Sequence, residues 1–176
     1  MALHDTLTGL PNRAAFNQKL AATLAGAAQG NKTFAVLSID LDRFKEVNDV
    51  FGHATGDSLL CEAGRRLCEA AGGAFLARFG GDEFALIVED GVQPAEAVAE
   101  RLLQSMSADI AAGEQSVHVG LSIGVAVYPS DGTDATMLIA NADAALYRAK
   151  AAGRNRVEPA VPEDFIAVPP DSAVDN

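Results

Sequence analysis

Residues 75–90 read FLARFGGDEFALIVED, two apolar runs separated by Gly80, Gly81, Asp82 and Glu83. Apolar runs joined by a glycine pair are typical of a β-hairpin, because glycine adopts the backbone angles that tight turns require. The turn explains the glycines, but it does not require two adjacent acids. One interpretation is that the acids solvate the turn, and the other is that the turn carries a functional site.

The segments around this hairpin alternate between helical and extended patterns. Apolar residues recur at a spacing of four from Phe16 to Leu24 and predict an amphipathic helix after Pro11. Residues 33–40, TFAVLSID, are mostly apolar up to Asp40 and predict a central strand. The other predicted elements are a short helix and loop at 43–53, helices at 55–71, 94–112 and 135–152, and strands at 116–129 and 154–159.

Two of these segments carry patterns that the structure can test. In 94–112, Val98, Leu102, Met106 and Ile110 recur every four residues, which predicts a single helix. In 116–129, large apolar residues alternate with small ones, which predicts one long strand whose small face lets another backbone approach closely. The order of elements predicts an α+β fold with a central, mostly antiparallel sheet of about five strands covered by helices.

The chain is acidic, with 13 Lys and Arg against 24 Asp and Glu in 176 residues, a formal net charge of -11. This charge repels polyanions, so we expect no nucleic-acid partner and no direct membrane contact. No apolar run approaches the roughly 18 residues of a membrane span. A phosphate ligand would have to be held by metal ions or by a few well-placed cations.

The length predicts one domain, which we place at 1–158. Residues 158–176 contain four prolines and five acids, which predicts a flexible tail over 159–176. Cys61 and Cys68 are seven residues apart in helical sequence, and we predict that both are free thiols facing the core.

Three acids are expected to meet at one end of the sheet. Asp40 ends the first strand, while Asp82 and Glu83 lie at the hairpin turn, so they converge if the two strands are neighbours. Carboxylates that close repel each other, which raises their pKa values unless a divalent cation compensates their charge. Hard oxygen ligands of this kind suit Mg²⁺ that also binds substrate phosphates.

Further polar residues follow directly after Asp40. The stretch DLDRFKEVNDVFGHATGD (40–57) contains Lys45, Asn48, His53 and Asp57. Taken singly, each is also explained as a solvated surface residue, and Asp57 as a helix cap.

Four motifs together resemble one known family. DTLTGLPNR (5–13), IDLDRFKEVNDVFGHATGD (39–57), RFGGDEF (78–84) and YRAKAAGRNRV (147–157) occur in this order and closely resemble the GGDEF family of diguanylate cyclases. The resemblance implies a fold similar to the palm of polymerases and nucleotidyl cyclases, with a ferredoxin-like core. It implies that two GTP molecules are joined into cyclic di-GMP, with release of two pyrophosphates, between two copies of the domain that form a transient homodimer.

The resemblance also implies roles for the acids. Asp40, the backbone carbonyl of Leu41 and Asp82 would bind Mg²⁺, with Glu83 as a further ligand and two ions per site; Mn²⁺ is a possible substitute. Asp82 is also the position usually proposed as the base for the attacking hydroxyl. Metal binding lowers basicity, so we favour the metal role. Lys45 completes the catalytic set with Asp82 and Glu83, by stabilising charge on the triphosphate.

The remaining matches concern substrate binding. Lys150 and Arg154 match a phosphate-binding pair; four residues apart, they would share a helix face, as a solvated cationic turn would also predict. The guanine-reading positions match Asn48 and Asp57, and a carboxylate can accept from guanine N1–H and N2–H₂ together, which predicts GTP over ATP. His53 and Phe44 complete the predicted GTP-binding set.

One motif of many family members is missing. An Arg-x-x-Asp sequence that binds product is replaced, by spacing, with Ala71-Gly72-Gly73-Ala74, so we predict weak or no product inhibition. Alternatives to the cyclase are a non-catalytic GTP-binding regulatory domain and a cyclase with a mononucleotide or mixed dinucleotide product. Arg78 pairs either with a neighbouring acid or with a partner protomer.

The resemblance also implies a cellular setting. We expect a cytoplasmic domain, or the cytoplasmic part of a larger or membrane-attached sensor. Sensory or other signalling domains would accompany it in the full-length protein.

Overall fold

The fold was obtained as a computed structural model, which describes residues 2–89 and 93–164. No helix in these two ranges has the length and apolarity needed to cross a bilayer. The elements in chain order are α1 (Arg13–Gly30), β1 (Phe34–Leu41), α2 (Phe44–Phe51), α3 (His53–Ala70), β2 (Phe75–Gly80), β3 (Glu83–Glu89), α4 (Ala95–Ser105), β4 (Ile110–Ala112), β5 (Gln115–Val117), β6 (Leu121–Tyr128), α5 (Ala135–Ala151) and β7 (Arg156–Pro159).

A five-stranded sheet in the order β2-β3-β1-β6-β7 organises the domain. Neighbouring strands are antiparallel except β6 and β7, which are parallel. The elements β1, α3, β2, β3, α4 and β6 make a ferredoxin-like βαββαβ unit, to which α5 and β7 are added. The predicted α+β fold with a mostly antiparallel sheet is confirmed.

Helices cover both faces of the sheet. Phe16 and Leu20 of α1 and Leu138 of α5 pack on one face, while Leu59 of α3 and Leu102 of α4 pack on the other. All eight residues of β1 are buried, because this central strand has helices on both sides.

The small-residue face of β6 allows close helix packing, as predicted. A Cβ atom added to Gly124 would lie 2.1 Å from the carbonyl oxygen of Ala142 and 2.3 Å from the backbone nitrogen of Leu146. The backbone of α5 therefore lies directly on β6, which fixes the position of the side chains that α5 presents at the end of the sheet.

The predicted helix at 94–112 is wrong in its second half. Helix α4 ends at Ser105, and Ile110–Ala112 forms β4, which pairs with β5 in a separate two-stranded sheet. The Arg66 guanidinium of α3 donates to the carbonyls of Ser105, Ala108 and Asp109, so it binds the chain just where the helix stops. Met106 and Ile110 are buried as their spacing suggested, but they do not lie on one helix.

The long strand predicted at 116–129 is also divided. Strand β5 ends at Val117 and β6 begins at Leu121, opposite Leu41 at the end of β1. Strand β1 ends at Leu41, so the residues before β6 have no β1 residue opposite them. Residues Gln115–Val117 pair with β4 instead.

The prediction that both cysteines face the core is wrong, since Cys61 and Cys68 are exposed. The buried stripe of α3 runs through Leu60, Gly64 and Leu67. Each cysteine follows a buried leucine and is therefore turned about 100° around the helix, out of the stripe.

Residues 159–164, which the sequence analysis assigned to the tail, contact the domain. Pro159 belongs to β7, and the amide of Ala160 donates to the carbonyl of Val125 at 2.7 Å. The buried Asp164 carboxylate accepts from the Arg148 guanidinium at 2.8 Å. The rest of the predicted tail, 165–176, lies outside the described residues.

Candidate active site

The hairpin turn brings its acids to the end of β1. Gly80 and Gly81 have φ angles of 127° and 50°, which favour glycine. In the antiparallel register of β1 and β3, Asp40 lies opposite Glu83, and the amide of Leu41 donates to the carbonyl of Asp82 at 3.2 Å. The predicted convergence of the three acids is therefore present.

Asp40 is the most deeply buried of these acids, with 2% of its surface exposed. Its Oδ2 forms an ion pair with Nζ of Lys150 on α5, while its Oδ1 is buried and has no hydrogen-bond partner among the described residues. Burial raises the pKa of Asp40, and this outweighs the opposing effect of the Lys150 charge. A buried, unpaired carboxylate oxygen is costly unless a ligand binds it.

The two acids of the turn also lose hydration. Burial, together with the charge of Asp40, raises the pKa of Asp82 to about 6. Burial and the charges of Asp40 and Asp143 raise the pKa of Glu83, whose carboxylate lies 3.9 Å from the Arg13 guanidinium. The end of β1 thus carries more negative charge than its neighbouring cations compensate.

Asp143 is a further acid of this cluster, which the sequence analysis missed. Its Oδ1 accepts from the hydroxyl of Ser38 at 2.6 Å. The residue as a whole is exposed, yet its carboxylate is turned toward β1, and the resulting loss of hydration and the charge of Asp40 raise its pKa. The sequence signal that could have identified Asp143 was its position seven residues before Lys150, which places both on the same helix face.

The donor set fits a magnesium ion that arrives with phosphates. No three Asp, Glu, His or Cys side chains within 2–89 and 93–164 form a ready-made metal site. Asp40, with its unpaired oxygen, and Asp82 nevertheless provide two hard carboxylates close together. Mg²⁺ in proteins is commonly bound by one or two carboxylates, with phosphates and waters as the other ligands. The Glu83 carboxylate lies at the same end of β1 and forms a 3.9 Å ion pair with Arg13.

Cations line a cavity of about 200 Å³ beside these acids. Lys45 comes from α2, Lys150 from α5 and Arg154 from the turn that follows α5. The prediction that Lys150 and Arg154 share a helix face is wrong, because α5 ends at Ala151 and Arg154 has a φ of 64°. Phe44 also lines the cavity, although its ring is buried and belongs to the core.

Asp42 holds the Arg154 turn in place, which the sequence analysis also missed. Its Oδ1 accepts from the hydroxyl of Ser122 at 2.5 Å, and its Oδ2 accepts from the amide of Asn155 at 2.9 Å. The sequence signal that could have identified Asp42 was its position two residues after Asp40, since side chains two apart lie on the same side of an extended chain.

The predicted guanine-reading residues lie where α2 meets α3. Asn48 packs against Gly56 of α3, and its Oδ1 is buried without a hydrogen-bond partner among the described residues. Asp57 is adjacent in sequence, and His53 begins the same helix; both are exposed. Neither side chain forms a hydrogen bond or ion pair with another residue of the described part of the chain.

Arg78 pairs with an acid of its own chain. Its Nη1 lies 2.8 Å from Oδ1 of Asp5, and its Nε and Nη2 both donate to the carbonyl of Gly81 in the hairpin turn. Asp5 in turn accepts from the amide and hydroxyl of Thr8. The DTLTGLPNR segment therefore supports the turn that carries Asp82 and Glu83, a role its sequence did not reveal.

Comparison with known proteins identifies the family. The sequence profile of the family described as "Diguanylate cyclase, GGDEF domain" matches residues 2–156. The chain belongs to the GGDEF family. Its five-stranded sheet and helices are those of the family's fold, the palm of nucleotidyl cyclases.

Two curated GGDEF relatives come from Pseudomonas aeruginosa. The chain is 44% identical over 158 residues to the bifunctional diguanylate cyclase/cyclic di-GMP phosphodiesterase MucR, covering 88% of this chain and 23% of that protein. It is 41% identical over 157 residues to the diguanylate cyclase TpbB, covering 87% of this chain and 36% of that protein. The chain thus spans about a quarter of the length of MucR and just over a third of the length of TpbB.

A solved structure has the same fold. The GGDEF domain of TpbB from P. aeruginosa superposes with a TM-score of 0.87 at 39% sequence identity. The match covers 92% of this chain and 96% of that one, so the whole described fold has a counterpart there.

Proposed function

We propose that this GGDEF domain is a diguanylate cyclase, which condenses two GTP molecules into cyclic di-GMP and two pyrophosphates. The observation that carries the proposal is the meeting of Asp40 and Asp82 beside a cavity lined by Lys45, Lys150 and Arg154. Metal-binding acids beside converging cations are what transfer of a nucleotidyl group requires. The relatives named as diguanylate cyclases support the same class of reaction.

Asp40 and Asp82, with the backbone carbonyl of Leu41, are the residues that would hold Mg²⁺, and Glu83 would join them once released from Arg13. We propose two ions per site, with Mn²⁺ as a substitute. When bound, the metal neutralises negative charge that develops on the phosphates during transfer. We assign Asp82 to the metal rather than to the proton of the attacking hydroxyl, because a metal-bound carboxylate is a weak base.

The cations hold the triphosphate in place. Lys45, Lys150 and Arg154 approach the cavity from three separate elements, so they can contact different phosphates at once. In a chain of net charge -11, this local cluster is what makes a polyanionic ligand acceptable. Asp42 acts on the same ligand indirectly, by fixing the turn that carries Arg154.

The guanine base of GTP would bind between α2 and α3. We propose that Asp57 accepts from N1–H and N2–H₂ of guanine, that Asn48 contacts the same base and that His53 lines the pocket. Adenine lacks this pair of donors, so the desolvated carboxylate would be left unpaired and ATP would be disfavoured.

Cyclisation requires two GTP-loaded domains face to face, because each 3′-hydroxyl attacks the α-phosphorus of the other nucleotide. We propose a transient homodimer within a longer, cytoplasmic signalling protein. Product inhibition should be weak or absent, because Ala71 and Ala74 offer neither a guanidinium nor a carboxylate for cyclic di-GMP.

The test is incubation with Mg²⁺, GTP and ATP together, followed by chromatography of the products. We expect cyclic di-GMP from the wild type and none from D40N or D82N, while E100Q, at an exposed acid of α4, retains full activity. GTP binding without any dinucleotide would contradict the proposal in favour of a regulatory GTP-binding domain. A mononucleotide or mixed product would show that a different cyclase is present.

A further inference from the structure

Gly56 lies inside helix α3, at the point where α2 packs against it. Its φ is outside the left-handed region, so its backbone does not require glycine. Alanine is more favourable than glycine at an ordinary helical position. The reason for glycine at this position must therefore lie in the space around it.

That space is filled by Asn48. A Cβ atom on Gly56 would lie 1.8 Å from Oδ1 and 2.9 Å from Cγ of Asn48, with the ring of Phe44 at 3.2 Å. Gly64, two turns further along the same helix, is different, because the atoms nearest to its added Cβ would be in Leu10 at 3.3 Å and in Thr8 at 3.7 Å. At position 56 the contacts shorter than 3.0 Å are both with the Asn48 side chain, whereas the Phe44 contact is within 0.1 Å of the shortest contact at Gly64.

The Asn48 amide is held without hydrogen bonds to the described residues at its buried end. Its Oδ1 is enclosed against α3 and has no partner within 2–89 and 93–164. This position of the amide is unfavourable in itself, because a buried acceptor without a hydrogen bond costs free energy. The close packing of α2 on Gly56 is what places it.

We propose that Gly56 is a positioning residue for nucleotide recognition: its missing side chain lets the Asn48 amide lie against α3 in the orientation that contacts the guanine base. The inference rests on the proposed function, in which Asn48 reads the base of GTP. The clashing atom is the end of a side chain, so Gly56→Ala can fold if Asn48 turns away, and the effect falls on binding.

Calorimetry with Mg²⁺ and guanosine 5′-(α,β-methylene)triphosphate, which cannot react at its α-phosphorus, tests the proposal. G56A should weaken binding about tenfold, the equivalent of one lost hydrogen bond. N48A should weaken it by a similar factor, and N48A/G56A should bind no more weakly than N48A alone. The matched control G64A should bind within about twofold of the wild type.

A second ligand separates base recognition from phosphate binding. Inorganic triphosphate with Mg²⁺ would contact the cations and, through the metal, the acids, but it has no base to contact Asn48, so G56A should bind it as the wild type does. Equal loss of both ligands would contradict a role through the base. So would wild-type affinity of G56A for the nucleotide, or a further tenfold loss when G56A is added to N48A.

The outcomes also separate this inference from the proposed function. If the wild type binds no nucleotide, both are contradicted. If the wild type and G56A bind the nucleotide with equal affinity, only the role of Gly56 is contradicted. If G56A does not fold, thermal unfolding of N48A/G56A decides: recovery of the fold confirms the clash with Asn48, and its absence contradicts it.

Discussion

Lys150 has two competing partners at the end of β1. In the structure it pairs with the buried Asp40, while it also lines the cavity where we place the triphosphate. A metal ion on Asp40 would replace Lys150 as the counterion, and the lysine would then be available to the phosphates. In the structure, Lys150 thus keeps the buried Asp40 carboxylate from being left without a counterion.

Replacing Lys150 should therefore have opposite effects on the two ligands. At pH 8 and without nucleotide, K150M should bind Mn²⁺ several-fold more tightly than the wild type, because a competing cation is gone. The same variant should bind the GTP analogue about tenfold more weakly, since a cationic phosphate contact is lost. Electron paramagnetic resonance of free Mn²⁺ and calorimetry measure the two effects. K32M, at an exposed lysine outside the site, is the control, and weaker Mn²⁺ binding by K150M would contradict the exchange.

At the scale of elements, the contact of α5 with β6 positions the site. Lys150 and Asp143 both belong to α5, whose backbone rests on Gly124. The neighbours of an added Cβ there are backbone atoms, which cannot turn aside as a side chain can.

Gly124→Ala should therefore move the helix or strain it. We expect a loss of about 2 to 3 kcal/mol in the free energy of unfolding, the upper part of the range of about 1 to 3 kcal/mol found for overpacked cores. Urea unfolding measures this loss. The matched control is G26A on the exposed side of α1, where an added Cβ meets nothing within 4 Å and alanine favours the helix. Equal stability of G124A and G26A would show that α5 is not held in this way.

The elements that the sequence predicted well are those with a local signal. The hairpin follows from its glycine pair, and helix α1 from the spacing of four between its apolar residues. The structure adds local N-caps, Asn12 for α1 and Asp134 for α5. The region 106–120 was predicted wrongly because its structure depends on distant residues. Arg66, some forty residues earlier, binds the chain after α4, and the end of β1 decides where β6 begins.

The site shows the same division. Asp40, Asp82, Lys45 and Lys150 were predicted because motifs mark them, and the structure brings them together. For Arg78, pairing with an acid was one of the two predicted alternatives, but the acid was not identified. The bonds of Asp42 to Asn155 and of Arg78 to Asp5 could not be predicted because they join residues far apart in sequence.

At the scale of the whole molecule, the acid cluster makes the fold sensitive to pH. Asp82 has a pKa raised to about 6, against about 3.9 in an unfolded chain. The folded protein therefore binds more protons between about pH 4 and 6, and its stability falls as the pH rises through this window. The pKa values of Asp40, Glu83 and Asp143 are raised too, so they act with the same sign.

Metal-free protein should accordingly be about 1 to 2 kcal/mol more stable at pH 5 than at pH 7.5. Asp5 and Asp164, whose pKa values are lowered, lose their contribution only at more acidic pH. Urea unfolding in the presence of a chelator measures the difference, and D82N should reduce it. Saturating Mg²⁺ with the GTP analogue should stabilise the fold more at pH 7.5 than at pH 5, because a cation favours charged carboxylates. Chelated protein that gains stability from pH 5 to 7.5 would be inconsistent with a crowded acid cluster.

The two-domain reaction makes a prediction about concentration. If each domain holds one GTP and dimerisation is transient, the initial rate should rise more steeply than linearly with enzyme concentration. Measuring cyclic di-GMP formation over a hundredfold range of enzyme tests this. A strictly linear dependence down to the lowest concentrations would contradict a transient dimer.

The central claim is that an acid at the end of β1 and an acid in the β2–β3 turn share a metal ion which holds GTP. A crystal structure with Mn²⁺ and guanosine 5′-(α,β-methylene)triphosphate tests it directly, because the anomalous signal locates the metal. We predict a peak about 2.1 Å from an oxygen of both Asp40 and Asp82, with Lys150 moved to the phosphates. A bound nucleotide whose metal lies away from both acids, with Lys150 still paired to Asp40, would contradict the account.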